Sequence, residues 1–151
     1  MKHWIACWLS LLALLVVGCD TVNHSQIQVL AAPVERGATA TLPASELATV
    51  KQVVEEIARS MHFEDRTQIS LTPGTICSWS QVDMKHPMSI KAWVTNDRIA
   101  IDLFQKPPET GETAAYRKLR NEVLTRLKAE FGNRLKLVHK MDHIQSSPGN
   151  F

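Results

Sequence analysis

Sulfur and imidazole are the groups in this chain best suited to chemistry, and they sit together. Each methionine after the first has a histidine within two residues: Met61-His62, Met84-Lys85-His86-Pro87-Met88 and His139-Lys140-Met141-Asp142-His143. In an extended segment alternate residues point to the same side. Met84, His86 and Met88 would then converge, and so would His139, Met141 and His143. Thioether with imidazole suits a soft ion such as Cu(I), so copper binding is one expectation. The competing one makes Met61 and Met141 core residues and leaves the histidines on the surface or in loops. Cys77 has no histidine placed beside it by the chain, so it defines no nucleophile and base. A small enzyme using Cys77 is the weaker alternative, and a buried apolar cysteine the expected one. There is no Gly-rich phosphate loop, G-x-S-x-G, H-E-x-x-H or C-x-x-C. The expectation is a non-enzyme without a cofactor.

These residues are positioned by elements whose periodicities can be read. From Ser45 to His62, Leu47, Val50, Val54, Ile57 and Met61 recur at helical spacing, with Ser45 as the cap and Glu46 in the first turn. Thr67 to Thr72 alternates through Ile69 and Leu71, Pro73-Gly74 marks a turn, and Thr75 to Val82 reads as a strand. Ser89 to Phe104 reads as a hairpin closed by Asn96-Asp97, both residues tolerating positive φ. That register sets Val94 opposite Ile99, Ala92 opposite Ile101 and Ile90 opposite Leu103, all on one face. It also sets Lys91 opposite Asp102 as an opposite-charge pair. Thr113 to Phe131 is a second helix with a stripe of Tyr116, Leu119, Val123, Leu127 and Phe131, ended by Gly132. Arg134 to Met141 alternates as a last strand.

One-sided helices and a one-sided hairpin need each other. The expected fold is α+β: a two-layer sandwich with an antiparallel sheet of about four strands and two helices on one face. Gln26 to Leu30 alternates as well. Counted as a strand, it makes the order βαββαβ, the ferredoxin-like arrangement. With the helices on one face, Trp93, and with it Trp79, would lie on the other, where exposed aromatics favour contact with a partner.

The start of the chain follows a different rule. Met1-Lys2-His3 precedes an uncharged apolar run from Trp4 to Gly18, shorter than the ~20 residues that span a bilayer and suited to an export signal. Val16-Val17-Gly18-Cys19 resembles the lipobox of bacterial lipoproteins. The resemblance covers only the first 19 residues. It implies cleavage after Gly18, lipid on the Cys19 sulfur and a periplasm-facing protein anchored to a membrane of the cell envelope. Asp20 resembles the signal for retention in the inner membrane. The chain then divides into a signal peptide at 1–18, a lipidated N-terminus and tether at 19–43, an α+β domain at 44–144 and a polar tail at 145–151.

Of the three cysteines, Cys7 leaves with the signal and Cys19 carries lipid. Cys77 alone remains, so no internal disulfide forms despite an oxidising compartment. Charge is uneven. Asp20 to Asp83 holds eight acids and four bases, and Thr113 to Lys140 eight bases and two acids. A basic face near a membrane suits anionic headgroups, or is the solvated side of a helix. Nucleic acid is not an expected partner outside the cytoplasm. The function expected is that of a binding or assembly module with an envelope protein as partner.

Overall fold

A computed structural model describes residues 22–32, 42–82, 84–106 and 111–140. Along the chain come β1 (Asn23–Leu30), α1 (Ala44–Ser60), β2 (Glu64–Asp65), a 3-10 turn (Thr67–Ile69), β3 (Thr75–Ser80), β4 (Met88–Val94) and β5 (Arg98–Gln105). Then follow α2 (Ala114–Phe131), a 3-10 turn (Gly132–Arg134) and β6 (Leu135–Lys140). The strands form one sheet in the order β2-β3-β4-β5-β1-β6, and every neighbouring pair is antiparallel. The α+β class, the antiparallel sheet and the two helices match the sequence expectation. The strand number does not, because β1 and β2 bring the sheet to six. Four strands separate the helices, so the order also departs from βαββαβ.

β1 is the largest correction. Residues 23–30 fall in the segment read as tether, yet β1 lies between β5 and β6 and pairs with both. Ser25, Ile27 and Val29 are buried, and the residues between them are less so. The folded unit therefore begins well before residue 44. The alternation of Gln26 to Leu30 signalled this strand, which starts three residues earlier, at Asn23, and its alternate residues are polar as a strand with one open face requires.

The hairpin has the predicted register: Val94 opposite Ile99, Ala92 opposite Ile101 and Ile90 opposite Leu103. All six side chains but Val94 are buried. Its turn is made without positive φ at Asn96 or Asp97, since His62 is the one non-glycine with positive φ among the described residues. Thr95 N–H donates to the Arg98 carbonyl at 2.9 Å and closes the loop. Thr67 to Thr72 is not a strand. It forms a 3-10 turn and a bend that leave Ile69 67 % and Leu71 92 % exposed, because its two apolar residues are too few to specify a sheet face.

Both helices pack on the same sheet face. α1 buries Val50, Val53, Val54, Ile57 and Ala58. α2 buries the predicted stripe of Tyr116, Leu119, Val123, Leu127 and Phe131. They meet Ile27, Val29, Cys77, Trp79, Ile90, Ile99, Ile101 and Leu103 in one core. Each fully buried Leu or Ile contributes about 1.5–3 kcal/mol of transfer free energy, set against the entropy of ordering it.

The helix starts are built differently. α1 begins after Pro43, and Ser45 lies inside the helix without capping it. α2 is capped by Thr113, whose Oγ1 accepts from the Tyr116 N–H at 3.1 Å. Buried Gln105 on β5 reaches the same cap, donating to Thr113 Oγ1 at 2.5 Å and accepting from its N–H at 3.1 Å. Tyr116 Oη donates to the Leu103 carbonyl at 2.8 Å, so its hydroxyl is buried with a partner.

The uneven charges meet within the fold. Arg126 of α2 bonds Glu56 of α1. Arg134 donates to both carboxylate oxygens of Glu46, at 3.2 and 2.8 Å. Arg120 pairs with Glu112. Part of the basic run is therefore spent on helix-to-helix and local contacts. Among the described residues no helix is long and apolar enough to cross a membrane.

Candidate binding face

The sheet face opposite the helices is built around a carboxylate. Asp102 on β5 is 7 % exposed, and the β register places it beside Gln26 on β1 and Lys91 on β4. Lys91 does not pair with it as predicted: its Nζ donates to Thr72 Oγ1 at 2.9 Å. Asp102 instead accepts three side-chain bonds. His24 Nε2 and Gln26 Nε2 each lie 2.8 Å from Oδ1, and Trp93 Nε1 lies 2.5 Å from Oδ2. Donors from β1 and β4 thus converge on β5 and stitch three adjacent strands together. Burial alone would raise the Asp102 carboxyl. The hydrogen bonds from His24, Gln26 and Trp93 outweigh it and hold the group below the ordinary carboxylate range.

The same contacts orient two rings. With Nε2 donating to Asp102, the His24 imidazole stacks on Phe104, centroids 4.4 Å apart and planes 9° from parallel. Its Nδ1 is buried and has no partner among the described residues. Trp93 is half-buried, with its N–H pinned and with nearly sealed Ala100 opposite it across the hairpin. Gln28 Nε2 donates to Gln26 Oε1 at 2.5 Å and Arg98 Nη1 to Gln28 Oε1 at 3.3 Å, extending the network to the end of the sheet. Such a surface can hold a planar or hydroxyl-rich group against a fixed ring, with amides and charges around it.

The predicted partner residues separate. Trp93 lies on the open face. Trp79 is 4 % exposed in the core under the helices, with Arg59 5.7 Å from its ring centroid. A bulge between Thr75 and Cys77 shifts the β3 register, and Trp79 falls opposite Ile90, on the helix side.

The first Met/His cluster does not come together. Met88 is 3 % exposed in the core, whereas Met84 is 55 % exposed, with half-buried His86 between them. Their expected alternation fails because only Met88 belongs to a strand. Met61 packs partly buried against the core, as expected of it, and His62 is exposed at the end of α1 with φ +59°. Of the second cluster, His139 is a β6 residue opposite Ser25, and Met141 and His143 lie outside the described residues. Among the described residues no group of three His, Cys, Asp or Glu side chains is arranged to hold a metal ion.

Cys77 is buried in the core as predicted, and burial pushes its thiol up to about 12. It is therefore a thiol rather than a thiolate near neutral pH. Cys19 lies outside the described residues. His24, Gln26 and Asp102 were missed by sequence reasoning. The one available signal was the alternation of polar residues along β1, once that segment is granted to be a strand. Comparison with protein-family profiles and with curated proteins gives no match.

Proposed function

We propose that this protein is a lipid-anchored, non-enzymatic binding module of the bacterial cell envelope that engages its partner through the open sheet face. The observation that carries the binding reading is the contrast between the two faces. One is sealed by both helices. The other, open among the described residues, is organised by Asp102, with Trp93, His24 and Phe104 held in place around it. Rings fixed before a partner arrives lose little freedom on binding.

The lipobox supports the anchor, and the position of β1 gives it a geometric consequence. Four residue steps separate Cys19 from Asn23, at most ~14 Å of extended chain. β1 then runs away from that point for about 27 Å. An anchored chain would hold the Asn23–Gln105 end of the sheet near the bilayer and present the Leu30–Arg98 end away from it.

Affinity capture from envelope extracts tests the reading, with the wild-type chain beside Trp93→Ala. Envelope material retained by the wild type and lost from the variant is the expected result. Identical retention by both would remove the open face from the account.

A further inference from the structure

The Leu30–Arg98 end of the open face holds a hollow of about 270 Å³, between β1 and the hairpin tip. Its wall is Trp93, its floor includes Ala100, and its rim carries Gln26, Gln28, Asn96, Asp97 and Arg98. The rim is fastened. Arg98 Nε and Nη2 donate to the two Asp97 carboxylate oxygens, each at 2.9 Å. Ala31 N–H donates to the Asp97 carbonyl at 2.9 Å and ties the end of β1 to the turn. Gln28 is held between Gln26 and Arg98.

Three properties limit what fits. Asp97 and Arg98 neutralise each other, so the rim offers no unbalanced charge to an ionic ligand. Beyond the bonds they already make, Gln26 and Gln28 each keep a second amide N–H and a second carbonyl lone pair, and Asn96 adds another amide, which match hydroxyl groups. Trp93 supplies a rigid aromatic surface whose orientation Asp102 sets. The volume lies just under the ~300–1,000 Å³ usual for drug-sized ligands, so the part of an occupant seated in this open hollow is about one ring.

We propose that this hollow binds a neutral saccharide ring, a hexopyranose of an envelope glycan, with its C–H face against Trp93 and its hydroxyls on the rim amides. The proposal rests on the binding reading above and deepens it by naming the ligand class. A sugar ring has the required combination of an apolar face and a hydroxyl edge, and it carries no charge.

Ligand-observed NMR and calorimetry on the full mature chain, in a sugar-free zwitterionic detergent, provide the test. The probes are glucose, N-acetylglucosamine and their β-linked disaccharides, with glutamate and lysine as charged controls. The expected result is saturable binding of at least one sugar with Kd on the order of 1 mM and none of either control. Asn96→Ala, at the exposed turn and outside the Asp102 network, should weaken it by roughly 3- to 10-fold. Trp93→Ala should abolish it, while Trp93→Phe, which keeps a ring but loses the N–H bond to Asp102, should retain part, with circular dichroism confirming that each variant is folded. Absence of saturable sugar binding by the folded wild type overturns the proposal, as does preference for a charged control or affinity unchanged in both Asn96→Ala and Trp93→Ala. Should sugars fail while envelope capture still depends on Trp93, the ligand class falls and the binding face stands.

Discussion

Asp102 couples the stability of the sheet to the shape of its open face. A buried acceptor that satisfies three donors is costly to remove, because each donor is left without its partner. Asp102→Asn keeps one acceptor oxygen but turns an amide NH2 toward the remaining donor or donors, so it should lower unfolding free energy at pH 7 by about 1–3 kcal/mol, measured by urea denaturation, and unchanged stability would show that the second carboxylate oxygen and its charge contribute nothing net. The pH dependence has a definite sign. The folded carboxyl is held below its ordinary value, so its contribution is present above the unfolded value of about 3.9. It is lost as pH falls through the lower, folded value. Wild-type stability should decline in that acid range more steeply than that of Asp102→Asn. Local reading placed Asp102 opposite Lys91 correctly but could not supply two of its three partners, His24 and Gln26, which lie 78 and 76 residues away; the third, Trp93, is within the same hairpin. Cys77 was easier, since a free cysteine is usually buried.

At the scale of elements, the hairpin was legible because a period of two allows only one register that buries its apolar set. The second helix was legible for the same kind of reason, five stripe residues at helical spacing. β3 was legible as a strand but its facing was not, since the bulge after Thr75 breaks the alternation that would have assigned Trp79 to the core face. That junction also carries a strict backbone requirement. Gly74 has φ +73°, and a Cβ there would stand 2.7 Å from the Val94 carbonyl oxygen and 3.2 Å from Val94 Cγ1. The Gly74 carbonyl in turn accepts from the Val94 N–H at 2.9 Å, so the turn cannot move away without losing that bond. Gly74→Ala should cost more than about 1 kcal/mol, visible as a lower Tm. An unchanged Tm would mean that the β3–β4 junction yields without penalty.

At the scale of the whole molecule, β1 determines both where the domain begins and how an anchor would hold it. The two helices and the hairpin suffice for a plausible sandwich in sequence terms, which is why residues 19–43 read as tether. Nothing local reveals that β6 reaches the sheet only through β1. A chain starting at residue 31 should fail to unfold cooperatively, in contrast to one starting at residue 19, when both are followed by circular dichroism on heating. A sharp transition in the shorter chain would return β1 to the tether. With β1 in the fold, the ~25–30 Å reach of 24 unstructured residues shortens to that of a few residues, and under the proposed anchor the domain would be held close to the membrane surface.

The placement depends on one sulfur atom, and mass spectrometry of the mature N-terminal peptide reads it directly. The expected product is a chain that starts at residue 19 with a diacylglyceryl group on the cysteine sulfur. A free thiol at that position, or a chain that starts elsewhere, would contradict it.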